Sequence, residues 1–240
     1  MVSSFFAALL DFAFPPLCHI CGKYIPDAGR LHICSACMKL IYAPSSPLCA
    51  ICGIPFDGAG DDHVCSSCLK NPPAFDAARA AIIYDGPGKE LIHTFKYNFK
   101  IQLRRPLALL IVENLSPFVM SWRPDLIVPV PLHVKRLKSR GFNQSALLGE
   151  VLAREWRIPL LRRAMRRIRW TEPQMSLTAE LRKTNVKGAF NAPDAEVVSG
   201  KRVLLLDDVM TTGSTVEECS KVLKKAEASQ VLVITVGRVV

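Results

Sequence analysis

Two patterns in this 240-residue chain set reactive side chains at spacings that chemistry uses. The first is cysteine. Eight of the nine cysteines stand in four C-x-x-C pairs: Cys18 and Cys21, Cys34 and Cys37, Cys49 and Cys52, Cys65 and Cys68. The halves "CHICGKYIPDAGRLHICSAC" and "CAICGIPFDGAGDDHVCSSC" share a C-x2-C-x12-C-x2-C spacing at an offset of 31 residues, with glycine after the second cysteine of each. Two thiolates three positions apart on a tight turn can grip one tetrahedral ion, and the glycine lets backbone amides approach the sulfurs. The pattern therefore predicts about two zinc ions, with pairing within each half or across halves both open. Disulfides would need an oxidising compartment, and redox C-x-x-C pairs seldom come in four evenly spaced copies. His19, His32 and His63 read as spectators, because each set already has four sulfurs. Cys219 stands apart on a predicted helix and reads as a small buried hydrophobe.

The second pattern is "VLLLDDVMTTGSTVEE", Val203 to Glu218, where four aliphatic residues run into two carboxylates and then a hydroxyl-rich turn. The turn "TTGST" precedes a helix beginning near Ser214, so amides, hydroxyls and the helix dipole converge where a phosphate can sit. Asp207 and Asp208 would repel a phosphate but accept strong hydrogen bonds from sugar hydroxyls. Phosphate at the turn and ribose at the acids describe a ribose 5-phosphate. A nucleotide triphosphatase would need G-x-x-x-x-G-K-[ST] elsewhere, and "DGPGKEL" has the wrong spacing and no hydroxyl residue after Lys89. A purely structural strand end is the remaining alternative, and two acids there are hard to explain by packing.

The elements that position these residues follow from hydrophobic periodicity. A boundary falls at "LKNPPAFDAARA", giving an amino-terminal helix and cysteine module over 1–72 and a second domain over 73–240. Beyond it, "ARAAIIY", "PDLIVPVP", "KRVLLLDD" and "QVLVITVGRV" read as strands. "GKELIHTFKY", "LRRPLALLIVENL", "FNQSALLGEVLAREW" and "STVEECSKVLKKAEA" read as helices. Strands alternating with helices imply an α/β fold with a parallel sheet covered on both faces, whose ligands bind at the carboxyl ends of the strands.

Charge is unevenly spread. The formal net charge is +10, and residues 123–190 hold 15 basic against 5 acidic side chains, so the whole surplus falls there. Such a belt suits an anionic ligand, a phosphate-rich substrate or nucleic acid, with a solvated basic face as the plain alternative. No run reaches the roughly 18 consecutive apolar residues of a membrane span. The start, "MVSSFFAALLDFAFPPLC", lacks a basic leader and a cleavage site, and reads as a short amphipathic helix on the protein or at a membrane surface. A cytoplasmic chain is expected.

The stretch "VLLLDDVMTTGST" resembles the phosphoribosyl pyrophosphate motif of type I phosphoribosyltransferases. With "FPPLCHICG", "FDAARAAIIYDGPGKELIHTFKY", "DLIVPVPLHVKRLKSRGFNQ" and "PQMSLTAELRKTNVKGAF", the resemblance narrows to the ComF family of competence-associated, phosphoribosyltransferase-like proteins and covers nearly the whole chain. It implies a Rossmann-like type I phosphoribosyltransferase fold behind a double zinc ribbon, with a hood over 73–122 and a core over 123–240.

Carried over residue by residue, the resemblance implies that Asp207 and Asp208 hold the ribose hydroxyls, while Thr211, Thr212, Gly213, Ser214 and Thr215 cradle the 5-phosphate. The region Pro129 to Leu132 corresponds to a diphosphate loop; read physically, Lys135, Arg136, Lys138 and Arg140 beside it either compensate a diphosphate's charge or form a solvated basic face, and the plain reading of Asn143 and Gln144 is as caps of the next helix. Arg167 to Phe190 corresponds to a cover over the substrate, with Arg169, Gln174, Arg182 and Lys183 as candidates. His93, Lys96, Tyr84 and Tyr97 fall in the hood. Magnesium would accompany the diphosphate in a transfer reaction, whose acceptor the sequence does not name; nucleotide salvage is one setting for it. The family also implies a part in taking up single-stranded DNA during natural transformation, alongside other competence proteins at the inner membrane face. In that rival reading the pocket survives without transfer, and the basic belt with Phe142, Trp156 and Trp170 holds a strand by charge and stacking.

Overall fold

A computed structural model describes residues 15–26, 29–171 and 184–240. The expected amino-terminal helix, and Gln174, Arg182 and Lys183 of the expected cover, lie outside the described residues. Two single-turn helices, α1 (Ser35–Met38) and α2 (Ser66–Lys70), follow Cys34 and Cys65. Then come β1 (Ala77–Ile83), α3 (Gly86–Tyr97), α4 (Arg104–Trp122), β2 (Leu126–Pro129), α5 (Val134–Arg140) and α6 (Gln144–Trp156). The short β3 (Arg166–Arg167) and β4 (Phe190–Asn191) pair with each other, followed by β5 (Arg202–Met210), α7 (Ser214–Lys225) and β6 (Gln230–Arg238).

The main sheet has the order β1-β6-β5-β2 and every pairing in it is parallel. Its strands are apolar at successive positions because both faces are covered. Leu204, Leu206, Leu232 and Ile234 pack with Phe95, Leu107, Leu110, Leu148 and Leu152 from α3, α4 and α6. Val203, Leu205, Val231 and Val233 point the other way and meet Val216, Cys219 and Leu223 of α7. Cys219 is fully buried there, and burial pushes its thiol well up, as a packing role requires.

Three boundaries differ from the sequence reading. Helix α4 continues through Pro117 to Trp122, although its strongly apolar run ends at Leu115. Helix α5 stands where the sequence reads as a loop; it buries no residue, so it carries no apolar periodicity to find. Strand β5 runs past both acids to Met210, because β6 accompanies it as far as Arg238 while β2 stops at the Pro129–Leu206 pair. No described helix is long and apolar enough to cross a membrane.

The cysteine module covers the free edge of β1. Ala78 N–H donates to the Ile51 carbonyl at 2.6 Å and Ile83 N–H to that of Tyr42 at 2.7 Å, while Asn114 of α4 donates from Nδ2 to the Ala81 carbonyl at 3.0 Å. An edge strand otherwise presents such groups as a template for stray pairing. Contact is so close at Gly53 (φ +66°) that a Cβ would lie 2.4 Å from the Ala78 carbonyl oxygen, while a Cβ at the equivalent Gly22 (φ +70°) would meet nothing within 4 Å. The second half of the repeat is thus pressed on the sheet. The first half lies over the helical face, where Ile25 and Ile33 join the core and Arg30 pairs with Glu155 of α6.

Candidate functional site

The repeat seen in sequence is a repeat in structure. In each half the backbone carbonyl of the first cysteine accepts from the following glycine amide, Gly22 to Cys18 and Gly53 to Cys49, both at 2.9 Å. The cysteines gather within halves: Cys18, Cys21, Cys34 and Cys37 form one cluster, and Cys49, Cys52, Cys65 and Cys68 the other, with ligand atoms in each lying within 4.8 Å of one another. This resolves the open pairing. Burial opposes ionisation of Cys18, but the amides of Cys34, Cys21 and Ile20 outweigh it and bring the thiol down to about 6. Cys49 is brought down to about 6 in the same way. Cys37 is pushed up to about 12 by burial and by the sulfurs around it. Four sulfurs this close cannot all be thiolates unless a cation sits among them, and amide donors already favour ionisation, so both clusters fit a tetrahedral zinc ion.

The second site lies where the β2 ladder ends. Leu206 is the last residue of β5 paired with β2, so from Asp207 onward that side of β5 opens into a crevice at the carboxyl end of the sheet. Asp207 accepts from the Ser145 hydroxyl at 3.1 Å and from the Asp208 amide at 2.9 Å. Burial, and then the neighbouring Asp208 charge, push Asp207 up to about 7. Asp208 instead lies 2.8 Å from Lys96 Nζ. Burial works against the lysine's charge, but Asp208 outweighs it and the Lys96 value is raised. Sequence reasoning places Lys96 in the hood without a partner; only the packing of the last turn of α3 on the sheet brings it to the acids.

After Met210 the chain turns through Thr211, Thr212 and Gly213 into α7. Gly213 holds φ +78°, a left-handed conformation that side chains resist, and a Cβ there would meet Met210 Cε at 2.9 Å. Thr212 Oγ1 and Ser214 Oγ share a 2.8 Å hydrogen bond. Among the described residues no backbone carbonyl outside helices and strands accepts from the amides of Thr211, Thr212 or Gly213. Asp207, Thr211, Gly213, Ser214 and Thr215 line one small hollow, the form expected of a phosphate cradle.

The expected cations divide. Arg136 stands near Arg167, whose guanidinium is lowered by burial first and by Arg136 next, with Asp207 among the groups that oppose the shift. Arg167 lies over the Phe190 ring and donates to Thr171, and its buried Nε has no hydrogen-bond partner among the described residues. Arg140 lies over the Tyr97 ring at 5.0 Å. Arg169 donates to the Asn185 and Lys187 carbonyls at 3.0 and 2.7 Å, and so ties down the segment before β4. Asn143 caps α6 by accepting from Ala146 N–H at 3.2 Å, and its amide also donates to Val130 at 3.0 Å, holding the loop after β2. Of the aromatic residues in the belt, Phe142 packs on Phe95 and Trp156 donates to Ser116, whereas Trp170 is exposed with Lys135 above it.

The magnesium implied by the resemblance would depend on Asp207, Asp208 and the substrate's own oxygens rather than on a cage of protein ligands. Lys96 neutralises Asp208 and burial drives Asp207 toward its protonated form, and the cysteine clusters are the only groups of three or more metal-ligating side chains among the described residues.

A parallel sheet, a paired-acid strand end and a hydroxyl-rich turn at a helix start define a phosphoribosyltransferase-like domain, here carrying a zinc-ribbon module. The Phosphoribosyl transferase domain model matches residues 145–238 and the Double zinc ribbon domain model matches residues 9–69. DNA utilization protein YhgH of Escherichia coli (strain K12) is 36% identical over 222 residues, 91% of this chain and 95% of that protein. Competence protein F of Haemophilus influenzae is 36% identical over 173 residues, 70% of this chain and 76% of that protein. The chain belongs to the ComF family, with competence protein F and YhgH. A solved glutamine phosphoribosylpyrophosphate amidotransferase from B. subtilis aligns at 25% identity over 46% of this chain and 22% of its own, with a TM-score of 0.33, too partial a likeness to carry an argument.

Proposed function

We propose that the crevice at the end of β5 binds phosphoribosyl pyrophosphate. The observation that carries this reading is the end of the β2 ladder at Leu206, one residue before the acid pair. In this reading Asp207 and Asp208 receive the ribose hydroxyls, and Thr211, Thr212, Gly213, Ser214 and Thr215 receive the 5-phosphate. With a value of about 7, Asp207 can either donate to or accept from a hydroxyl at neutral pH. Arg136 and Arg167 supply fixed positive charge for the diphosphate, supported by the buried Nε of Arg167, which has no partner among the described residues. Arg140, Arg169 and Arg182 remain candidates for the rim and cover. If the chain transfers the phosphoribosyl group, its residues contribute position and electrostatics rather than acid and base.

The names of the relatives, competence protein F and DNA utilization protein YhgH, support a part for this chain in handling incoming DNA, in the cytoplasm where eight thiolates stay reduced. A second reading, single-stranded DNA held on the basic belt, is favoured by the exposed Trp170 with Lys135 over its ring at 5.9 Å. Calorimetric titration of phosphoribosyl pyrophosphate tests the first reading. Saturable binding in the wild type that weakens about 10-fold or more in Asp207→Asn supports it, and equal affinity in both defeats it. Pyrophosphate release in the presence of a panel of bases and amines separates transfer from binding alone.

A further inference from the structure

The acid pair already has a cation beside it. Lys96 Nζ lies 2.8 Å from Asp208 Oδ1, and the two side chains are only 16% and 14% exposed, so this is an internal pair rather than a surface contact. The lysine is held from several sides. It belongs to the last turn of α3, whose Leu91, Ile92 and Phe95 are buried in the core. Tyr84, at the end of β1, and Asp207 both lie near enough to influence it. The neighbouring Tyr97 is packed between His93, at 4.6 Å, and Arg140.

A divalent ion approaching Asp208 would meet the ammonium group at close range, and like charges in a partly desolvated site repel strongly. In the acid that remains, Asp207, Oδ1 already accepts from the Ser145 hydroxyl and the Asp208 amide. Yet the pair still offers what a sugar needs: carboxylate oxygens to accept from hydroxyls, and an ammonium with three donors to give to them.

We propose that Lys96 is a resident cation that takes the place of a divalent metal at the acid pair, so that the ribose end of a sugar 5-phosphate binds here without metal. This rests on reading the crevice as a sugar-phosphate site. Lys96 is a positioning and specificity residue, not one assigned to a bond-breaking step.

Ribose 5-phosphate is the probe, because it lacks the diphosphate that would bring magnesium with it. Calorimetric titrations compare EDTA with millimolar magnesium for the wild type, Lys96→Met and Lys96→Arg, each checked by circular dichroism and zinc content. Wild-type affinity is expected to change by less than about twofold between buffers, Lys96→Met to lose about tenfold in EDTA and regain part of it with magnesium, and Lys96→Arg to ignore magnesium. Lys96→Met is also expected to gain a manganese site visible by electron paramagnetic resonance. If Lys96→Met fails to fold, the other two proteins decide, both being expected to ignore magnesium. Wild-type binding that strengthens about tenfold with magnesium, or a Lys96→Met that matches the wild type in both buffers, overturns the proposal while the pocket stands. No binding to the wild type in either buffer removes the pocket itself, and the proposal with it.

Discussion

The hydroxyl of Ser145, buried in the first turn of α6, donates to Asp207 Oδ1 at 3.1 Å and ties that helix to the acid-bearing end of β5. A hydroxyl can orient a carboxylate, but it cannot replace the water that burial removes, and Asp207 is pushed from 3.8 up to about 7.

This makes stability depend on pH. A carboxyl whose folded value is raised contributes full stability below its unfolded value and loses it as pH climbs through the folded value. The loss for Asp207 therefore runs between about 4 and 7. Asp207→Asn keeps the acceptor for Ser145 and removes the charge, so it is expected to match the wild type near pH 4 and exceed it at pH 8. After discounting for partial exposure, the gain is about 1–2 kcal/mol, or roughly 2–8 °C in Tm. Thermal unfolding followed by circular dichroism across this range checks it, and a difference that does not vary with pH would contradict it.

The two zinc ribbons should respond differently to damage. Arg238, 6% exposed, places Nη2 3.9 Å from Cys52 Sγ, while its buried Nε and Nη1 have no hydrogen-bond partner among the described residues. A zinc tetrathiolate carries a net charge of about −2 and serves as the counter-charge for this guanidinium. Cys21, by contrast, is exposed, with its sulfur 3.7 Å from that of Cys34. The wild type should hold about two zinc ions by elemental analysis, and each single cysteine variant about one. Cys52→Ser is expected to destabilise the chain by about 3 kcal/mol, roughly 6–12 °C in Tm, and Cys21→Ser by clearly less. Equal losses would mean that Arg238 does not depend on the second cluster.

Nucleic-acid binding, if it uses the basic belt, is tested first at the arginines beside β3. Arg162 is paired with Glu150 and Arg167 is turned into the protein, while Arg163 and Arg166 are exposed beside a groove of about 510 Å³. Reversing both to glutamate should weaken single-stranded DNA binding and lower the slope of log affinity against log salt by about 1.4, near 0.7 for each phosphate no longer neutralised. A fluorescence anisotropy salt titration measures this. An unchanged slope would move the binding surface elsewhere, with Trp170 and Lys135 as the next residues to alter.

The central strands and α7 are legible in the sequence because buried parallel strands are continuous apolar runs and α7 follows a turn with its own signature. The acid pair and the threonine turn are legible for the same reason, since their chemistry is local in sequence. Three features are not. The cysteine pairing depends on distance between loops, which spacing alone leaves open. Helix α5 buries nothing and so leaves no periodic trace. Lys96 meets Asp208 across 112 positions of sequence, a pairing fixed only by how α3 lies over β6 and the strand beside it.

The central claim is that the turn between β5 and α7 receives the phosphate of a sugar phosphate while the acids receive its ribose. Amide NMR of the labelled protein titrated with ribose 5-phosphate tests this most directly, because it reports on each backbone N–H separately. The largest shifts are expected at Thr211, Thr212, Gly213, Ser214 and Thr215, with smaller ones at Asp207 and Asp208, and Thr212→Val should reduce them all. Saturable shifts confined to the zinc ribbons or to the groove at Arg163 and Arg166, or no shifts at any concentration, would contradict it.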